Sequence, residues 1–245
     1  DTYAEVCLGH PTTLPVTVEH MVTLTAAVRR GAPSVYLVGD MPYLSYQVCP
    51  EEAIRNAGRF MAEAGCDCVK VEVDRRLVKT VEAMAAATIP VMAHLGLKPQ
   101  SIQTTGNYQI QGKKATDALR IVEDAKMMVD AGAVALLLEA VPQEVARIIT
   151  SSTDRPVIGI VSGPDCDGQV VVFHDMIGYG GGHPPRSVKP YARLHEQLTS
   201  AFEAYVKDVV EQKFPTAEQS VAMEPQEFER LRQALGEEPL GPRGD

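Results

Sequence analysis

Six short apolar runs, separated by longer amphipathic stretches, constrain the fold of this chain more than any other feature. The runs are rich in Val, Ile and Leu and show little alternation of polar and apolar residues. Strands that are covered on both faces have this composition, which is typical of parallel sheets. We therefore predict strands at 34–39, 68–73, 90–95, 133–138, 156–161 and 169–173.

The stretches between the runs carry helix signals. Thr17 is a suitable N-cap for the first helix. Gly31, Gly65 and Gly132 each follow a helical stretch, where a left-handed C-terminal cap would need glycine. A repeat of helix, glycine and strand is typical of βα units. We predict helices at 18–30, 51–64, 76–87, 115–131 and 142–150.

Two architectures fit such a repeat, an open doubly wound sheet and a (β/α)8 TIM barrel. Polar residues lie at the carboxyl ends of four of the predicted strands (Asp40, Glu72, His94 and Glu139), and no glycine-rich phosphate loop follows an early strand. Barrel enzymes draw their catalytic residues from the carboxyl ends of several strands, so the pattern favours the barrel. Six strands of eight predict that the barrel's first strand–helix–strand unit is absent from this chain.

The end of the chain differs in character. A long amphipathic helix is predicted at 189–212, and the sequence becomes polar and rich in Pro and Gly after residue 215. We predict a barrel domain at 1–220 and an extension at 221–245, with a short helix around 225–235 and a loose tail.

Charge and cysteine content exclude several classes of protein. The net charge is −9, from 23 Lys and Arg against 32 Asp and Glu, so nucleic acid is not an expected partner. No apolar run is long enough to cross a membrane, so no membrane partner is expected either. The five cysteines form no disulfide framework, and we interpret them as reduced thiols in a cytoplasmic protein.

Several strand-end residues could form a site. Two or three carboxylates that meet at one rim would suit a hard cation such as Mg²⁺. Lys70 and Glu72 are two residues apart in a strand and share a face, where burial is costly unless they pair or meet a ligand. A carboxylate after an apolar run, as at Glu139, is a candidate general base, although it could instead cap the next helix. A lone strand histidine such as His94 is more often a core residue.

Other motifs are weaker. The glycines at 178–182 complete no nucleotide-binding pattern and predict a turn or flexible loop. The segment 165–168 lacks the further ligands of a calcium loop and also predicts a turn.

Eleven collinear segments carry a resemblance to a known family. HLGLKPQS at 94–101 is highly specific, and the others are moderately so. The chain resembles the ketopantoate hydroxymethyltransferases, of the phosphoenolpyruvate/pyruvate barrel superfamily. The other segments are LPVT (14–17), TAAVRRGAP (25–33), DMPY (40–43), VKVE (69–72), QG (111–112), LEAVP (138–142), PVIGI (156–160), DGQ (167–169), HD (174–175) and VK (188–189).

The resemblance implies a fold and a reaction. The fold would be a (β/α)8 barrel in a homo-oligomer, a decamer in the family. The reaction would move a hydroxymethyl group from 5,10-methylenetetrahydrofolate to 3-methyl-2-oxobutanoate through a metal-stabilised enolate, giving 2-dehydropantoate. Mg²⁺, or another divalent cation such as Zn²⁺, would be the cofactor.

The resemblance also implies residue roles. Asp1 and Asp40 would bind the metal and substrate, and Glu72 would hold metal-bound water. Thr2 replaces the family's substrate-binding Ser. Lys70 would bind the substrate carboxylate, His94 would contact the substrate, and Glu139 would be the general base.

Two alternatives remain open. The first is another enolate enzyme of the same superfamily, such as a 2-oxoacid aldolase or a carbon–carbon lyase. The second is a non-catalytic barrel that scaffolds or regulates a partner. This chain departs from the family's usual residues at Thr2–Glu5, at 159–163 and at Asn107.

Overall fold

A six-stranded parallel sheet forms the centre of the first part of the molecule. The computed structural model describes residues 1–180 and 187–236. The chain divides into two compact units, Asp1–Ala192 and Arg193–Asp245, which separate earlier than the predicted boundary after residue 220. The sheet lies in the first unit, and its strands are β1 Val38–Asp40, β2 Cys68–Glu72, β3 Val91–Gly96, β4 Ala135–Glu139, β5 Val157–Ile160 and β6 Gly168–Gln169.

The strands pair in sequence order, and every neighbouring pair is parallel. This order is that of a (β/α) barrel and not of a doubly wound sheet, whose strand order reverses. The predicted partial barrel is therefore confirmed. The register sets Glu72 opposite His94 and Gly96 opposite Glu139, so polar residues of neighbouring strands meet at one edge.

Helices precede, connect or follow the strands of the sheet. In the first unit they are α1 Tyr3–Val6, α2 Val18–Gly31, α3 Pro50–Ala62, α4 Val78–Ala86, α5 Ile102–Thr105, α6 Ala115–Asp130, α7 Gln143–Ser151 and α8 Phe173–Ile177. Short 3-10 turns occupy Arg75–Leu77 and Pro99–Ser101. The second unit contains α9 Leu194–Val210, a 3-10 turn at Ala217–Gln219 and α10 Pro225–Leu235.

Local signals explain where several helices begin and end. The Thr17 side chain accepts a hydrogen bond from His20 N and caps α2, as predicted. Gly65 and Gly132 have positive φ angles of 66° and 101°, which suit glycine after a helix. The same prediction for Gly31 is wrong, because Gly31 is the last residue of α2. Here the following Pro33 ends the helix, since the residue before a proline disfavours the helical conformation.

The core lies between the sheet and its covering helices. All five residues of β2 are buried, as a strand covered on both faces requires. Phe60 of α3, Met84 of α4 and Met128 of α6 are fully buried and pack with the strands. This packing fixes the strand ends, and thereby the side chains that follow them.

Two predicted strands were wrong in extent. β1 begins at Val38 and not at 34, because Leu37 N donates to the Asp67 carboxylate instead of to a strand. β6 ends at Gln169, and Phe173 begins α8. A short apolar run such as 170–173 does not by itself distinguish a strand from a helix.

The C-terminal predictions were partly correct. The helix predicted at 189–212 begins only at Leu194, after Pro190, which disfavours a helical conformation in the residue before it. The short helix around 225–235 is confirmed as α10. The predicted loose tail falls mainly on 237–245, and part of the glycine-rich turn falls on 181–182. Both of those segments lie outside the described residues.

Within the described ranges, no helix is long and apolar enough to span a membrane.

The close approach of Gly96 at the end of β3 to the backbone of β4 can be tested by substitution. Its φ angle is 92°, and a Cβ atom there would lie 2.3 Å from the carbonyl oxygen of Glu139. We expect Gly96→Ala to lower the free energy of unfolding by about 2–4 kcal/mol, from left-handed strain and overpacking. Urea denaturation followed by circular dichroism measures this change.

Gly58→Ala is the matched control for this substitution. Gly58 lies within α3, with open space where a Cβ would be. Alanine there should stabilise the protein by about 0.5–1 kcal/mol. If the two substitutions changed the free energy of unfolding equally, the close packing of Gly96 against β4 would not matter to stability.

Candidate active site

One cavity at the carboxyl ends of the strands gathers every residue that the sequence predicted for the site. It has a volume of about 350 Å³. Asp40 at the end of β1 and Val170 directly after β6 both line it, so the sheet curves around it. The seven predicted residues that line it are Asp1, Thr2, Asp40, Lys70, Glu72, His94 and Glu139.

Lys70 and Asp40 form a buried ion pair within the cavity. Lys70 Nζ contacts Asp40 Oδ1 and lies 4.0 Å from Glu72 Oε1. Burial by itself would raise the pKa of Asp40, but the Lys70 ammonium outweighs it and the pKa is lowered. Burial would likewise lower the pKa of Lys70, but Asp40 and Glu72 raise it above its usual value. Both groups are therefore charged at neutral pH.

Glu72 differs from Asp40 although both line the same cavity. Burial is the largest influence and raises the pKa of Glu72 to about 7, against the lowering effect of Lys70. Its Oε2 accepts a hydrogen bond from Gln100 N at 3.0 Å. Within the described residues, Oε1 has no hydrogen-bond partner. A buried oxygen in this situation is available to a ligand.

His94 and Glu139 face each other across β3 and β4. His94 Nε2 lies 3.1 Å from Glu139 Oε2, but out of line for a hydrogen bond. The imidazole is buried, which lowers the pKa of His94 despite the neighbouring carboxylate. A neutral imidazole therefore lies beside the partly exposed carboxylate of Glu139.

Sequence reasoning missed two residues of the site, Gln100 and Tyr46. Gln100 Nε2 donates to Asp1 Oδ2 at 2.8 Å, and Tyr46 Oη donates to Gln100 Oε1 at 2.7 Å. Burial is the main cause that raises the pKa of Tyr46 far above its usual value, so the hydroxyl keeps its proton. Gln100 lies in the same specific segment as His94, which could have marked it. Tyr46 lies in a loop with no such signal.

A second cavity of about 500 Å³ adjoins the first and shares four lining residues with it, Thr2, Pro99, Glu139 and Val172. It is more extended, and its wall includes Glu5 and Tyr108, whose hydroxyl lies 3.1 Å from Glu5 Oε1. Burial raises the pKa of Glu5 and raises that of Tyr108 to about 12. Glu139 therefore stands at the border of two connected spaces.

The cavity contains carboxylates that could bind a divalent cation. Among the described residues, no three Asp, Glu, His or Cys side chains are already arranged to coordinate a metal ion. The three carboxylates of Asp1, Asp40 and Glu72 nevertheless line one cavity, and Glu72 Oε1 is buried without a partner. Carboxylate oxygens are the ligands that Mg²⁺ prefers, so the donor set fits such a cation.

Acidic and basic side chains at the carboxyl ends of parallel strands define this molecule as an enzyme of the (β/α)-barrel class. Solved structures share the fold. A phosphonopyruvate hydrolase matches with a TM-score of 0.55 at 11% identity, over 96% of this chain and 83% of that one. A complex of phosphonopyruvate hydrolase with oxalate and Mg²⁺ matches with a TM-score of 0.53 at 12% identity, over the same shares of both chains.

Sequence comparison identifies the family. The model of the ketopantoate hydroxymethyltransferase family matches residues 1–217. A 3-methyl-2-oxobutanoate hydroxymethyltransferase of Geobacillus sp. (strain WCH70) is 46% identical over 93% of this chain and 82% of the relative. The enzyme of that name from Clostridium botulinum (strain Alaska E43 / Type E3) is 42% identical over 94% of this chain and 84% of the relative. The chain belongs to the ketopantoate hydroxymethyltransferase family.

The buried ion pair predicts a large effect on stability. Lys70→Met should lower the free energy of unfolding by about 3 kcal/mol, because it leaves the buried Asp40 carboxylate without the Lys70 ammonium. The double variant Lys70→Met/Asp40→Asn should recover a large part of this loss. Urea denaturation of both variants measures the difference.

Lys126→Met is the control for the loss of a lysine. Lys126 pairs with Asp130 on the surface of α6, where both side chains are largely exposed. Its removal should leave stability nearly unchanged. If Lys70→Met were as stable as Lys126→Met, the ion pair with Asp40 would not matter to the fold.

Proposed function

We propose that this enzyme transfers a hydroxymethyl group from 5,10-methylenetetrahydrofolate to 3-methyl-2-oxobutanoate, giving 2-dehydropantoate for pantothenate biosynthesis. The observation that carries the proposal is the convergence of all seven residues implied by the family resemblance on one cavity. The names of the relatives support the same reaction.

In the proposed reaction, a base removes a proton from C3 of the oxoacid and the enolate forms. C3 then attacks the methylene carbon of the folate, and the two bonds from that carbon to N5 and N10 break in turn. Water supplies the hydroxyl oxygen, and the two nitrogens take up the proton lost from C3 and one proton from that water. Glu139 is the proposed base, because its carboxylate lines the cavity and stands close to the neutral His94.

Charge and shape in the first cavity support a branched 2-oxoacid as substrate. The Lys70 ammonium has three hydrogens and reaches Asp40 and Glu72 without using all of them, so it can also bind the substrate carboxylate. Thr2 and His94 line the same cavity as polar contacts. The apolar part of the wall suits an isopropyl group and consists of Leu137, Ile160, Val170, Val171, Val172 and Phe173.

A divalent cation is the proposed cofactor. Asp1 and Asp40 would hold it directly, and Glu72 would hold water bound to it. When bound, Mg²⁺ or another divalent cation such as Zn²⁺ would supply a Lewis acid for the negative charge that develops on the oxoacid.

The second cavity is the proposed place for the folate donor. Its volume exceeds that of the first, and both cavities are lined by Glu139. A donor there would bring its methylene carbon to the side of the oxoacid from which Glu139 removes the proton.

Two further expectations remain proposals. α9 exposes an apolar stripe at helical spacing, and a homo-oligomer, such as the decamer implied by the resemblance, would cover it with a second copy of the chain. The stripe consists of Phe202, Tyr205, Val206 and Val209. All five cysteines are free thiols, which supports a cytoplasmic location.

The direct test is turnover by the purified protein with Mg²⁺, 3-methyl-2-oxobutanoate and 5,10-methylenetetrahydrofolate. We expect 2-dehydropantoate, detected by mass spectrometry, to form only with the folate donor. Product from free formaldehyde or another aldehyde, but not from the folate, would favour an aldolase. Release of an aldehyde from the oxoacid would favour a lyase.

Glu139→Gln tests the proposed base separately from folate chemistry. It should slow the exchange of the C3 proton of 3-methyl-2-oxobutanoate with deuterium oxide by about 10²–10⁴-fold, because a general base is lost. Proton NMR of the substrate measures this exchange without any folate present. Glu144→Gln, at an exposed position of α7, is the control and should exchange at the wild-type rate. Unchanged exchange in Glu139→Gln would assign the base to another residue.

A further inference from the structure

Gln100 is buried at the end of the loop that follows β3, and its amide uses all of its hydrogen-bonding capacity. The two Nε2 hydrogens go to Asp1 Oδ2 at 2.8 Å and to Met41 O at 2.9 Å. Its Oε1 accepts from Tyr46 Oη at 2.7 Å and from Gln47 Nε2 at 3.0 Å. A flipped amide would turn its oxygen toward a carboxylate and a carbonyl, so chemistry allows only one orientation.

The backbone of Gln100 acts on a second carboxylate. Its N–H donates to Glu72 Oε2 at 3.0 Å. One residue therefore joins Asp1 and Glu72, which lie far apart in the sequence, through two different donors. Each of these bonds occupies one carboxylate oxygen, and Glu72 Oε1 remains without a partner in the described structure.

Tyr46 fixes the other side of this arrangement. Its side chain is fully buried, and its hydroxyl donates to Gln100 Oε1 while accepting from Glu72 N at 2.9 Å. Strand pairing with β3 already holds the Glu72 backbone, so the hydroxyl affects the carboxylates through the orientation of the Gln100 amide.

We propose that Gln100 is a positioning residue that holds the carboxylates of Asp1 and Glu72 in the orientation that binds a divalent cation, and that Tyr46 acts through Gln100. This inference rests on the proposed function, because it assigns the cation to these carboxylates. The partners that orient metal-binding carboxylates typically affect metal affinity by about 10–100-fold.

The test is Mg²⁺ affinity, measured by titration calorimetry on the purified protein and its variants. Gln100→Met keeps the length of the side chain and the backbone N–H but removes the amide. It should bind Mg²⁺ about 10–100-fold more weakly, and Tyr46→Phe about tenfold more weakly. Because Tyr46 acts through Gln100, the double variant should bind little more weakly than Gln100→Met alone.

Gln103→Met is the matched control, since Gln103 is an exposed glutamine on α5. It should bind Mg²⁺ like the wild type. Circular dichroism at the titration temperature establishes whether each variant is folded. If Gln100→Met fails to fold, Tyr46→Phe still tests the inference, because it removes only one hydroxyl.

The outcomes separate this inference from the proposed function. Wild-type protein that binds neither Mg²⁺ nor Zn²⁺ in the same titration would overturn both. Wild-type protein that binds Mg²⁺, with folded Gln100→Met or Tyr46→Phe variants within twofold of it, would overturn the positioning role alone. Losses that simply add in the double variant would show that Tyr46 does not act through Gln100.

Discussion

The buried ammonium of Lys70, held between the carboxylates of Asp40 and Glu72, is the interaction on which the site depends. Removing the charges of Lys70 and Asp40 from water costs several kcal/mol for each ion, and only close pairing offsets that cost. Adjacent parallel strands supply the pairing, because β1 and β2 bring Asp40 and Lys70 into register. The two carboxylates differ in pKa as a result. The Lys70 ammonium lowers the pKa of Asp40, while burial raises that of Glu72 to about 7.

Strained backbone surrounds this charged cluster at the strand ends. Gly96, Ala140 and Val161 follow or end β3, β4 and β5 with positive φ angles of 92°, 49° and 55°. Such a conformation is costly for a β-branched residue such as Val161, and strain of this kind is concentrated at functional sites. Ala140 N donates to Ile160 O at 2.9 Å, so pairing between the strands continues up to the point where the chain turns away. The turns open the space that the two cavities occupy.

The residues and volumes of the two adjoining cavities help to distinguish a transferase from an aldolase, a lyase or a non-catalytic scaffold. A scaffold without catalysis would have no need of a buried Lys70 or of an unpartnered Glu72 oxygen, since both are costly in a structural role. An aldolase or a lyase would use the first cavity in the same way as a transferase. The larger second cavity, which meets the first at Glu139, and the names of the relatives favour the two-substrate transferase.

The sequence by itself determined the parallel α/β architecture, because strands buried on both faces need continuous apolar runs and leave their polar residues at the ends. It also marked five of the seven candidate residues by their place at the strand ends, which align in a parallel sheet. The two at the start of the chain were implied by the family resemblance alone. It did not reveal the roles of Tyr46 and Gln100, whose hydrogen bonds join loops that are distant in the sequence and leave no periodic pattern. Similarly, only tertiary contacts decided that Asp67 would delay the start of β1 and that Phe173 would begin a helix. Short apolar runs satisfy either conformation, and the choice depends on which backbone groups find a partner in the folded chain.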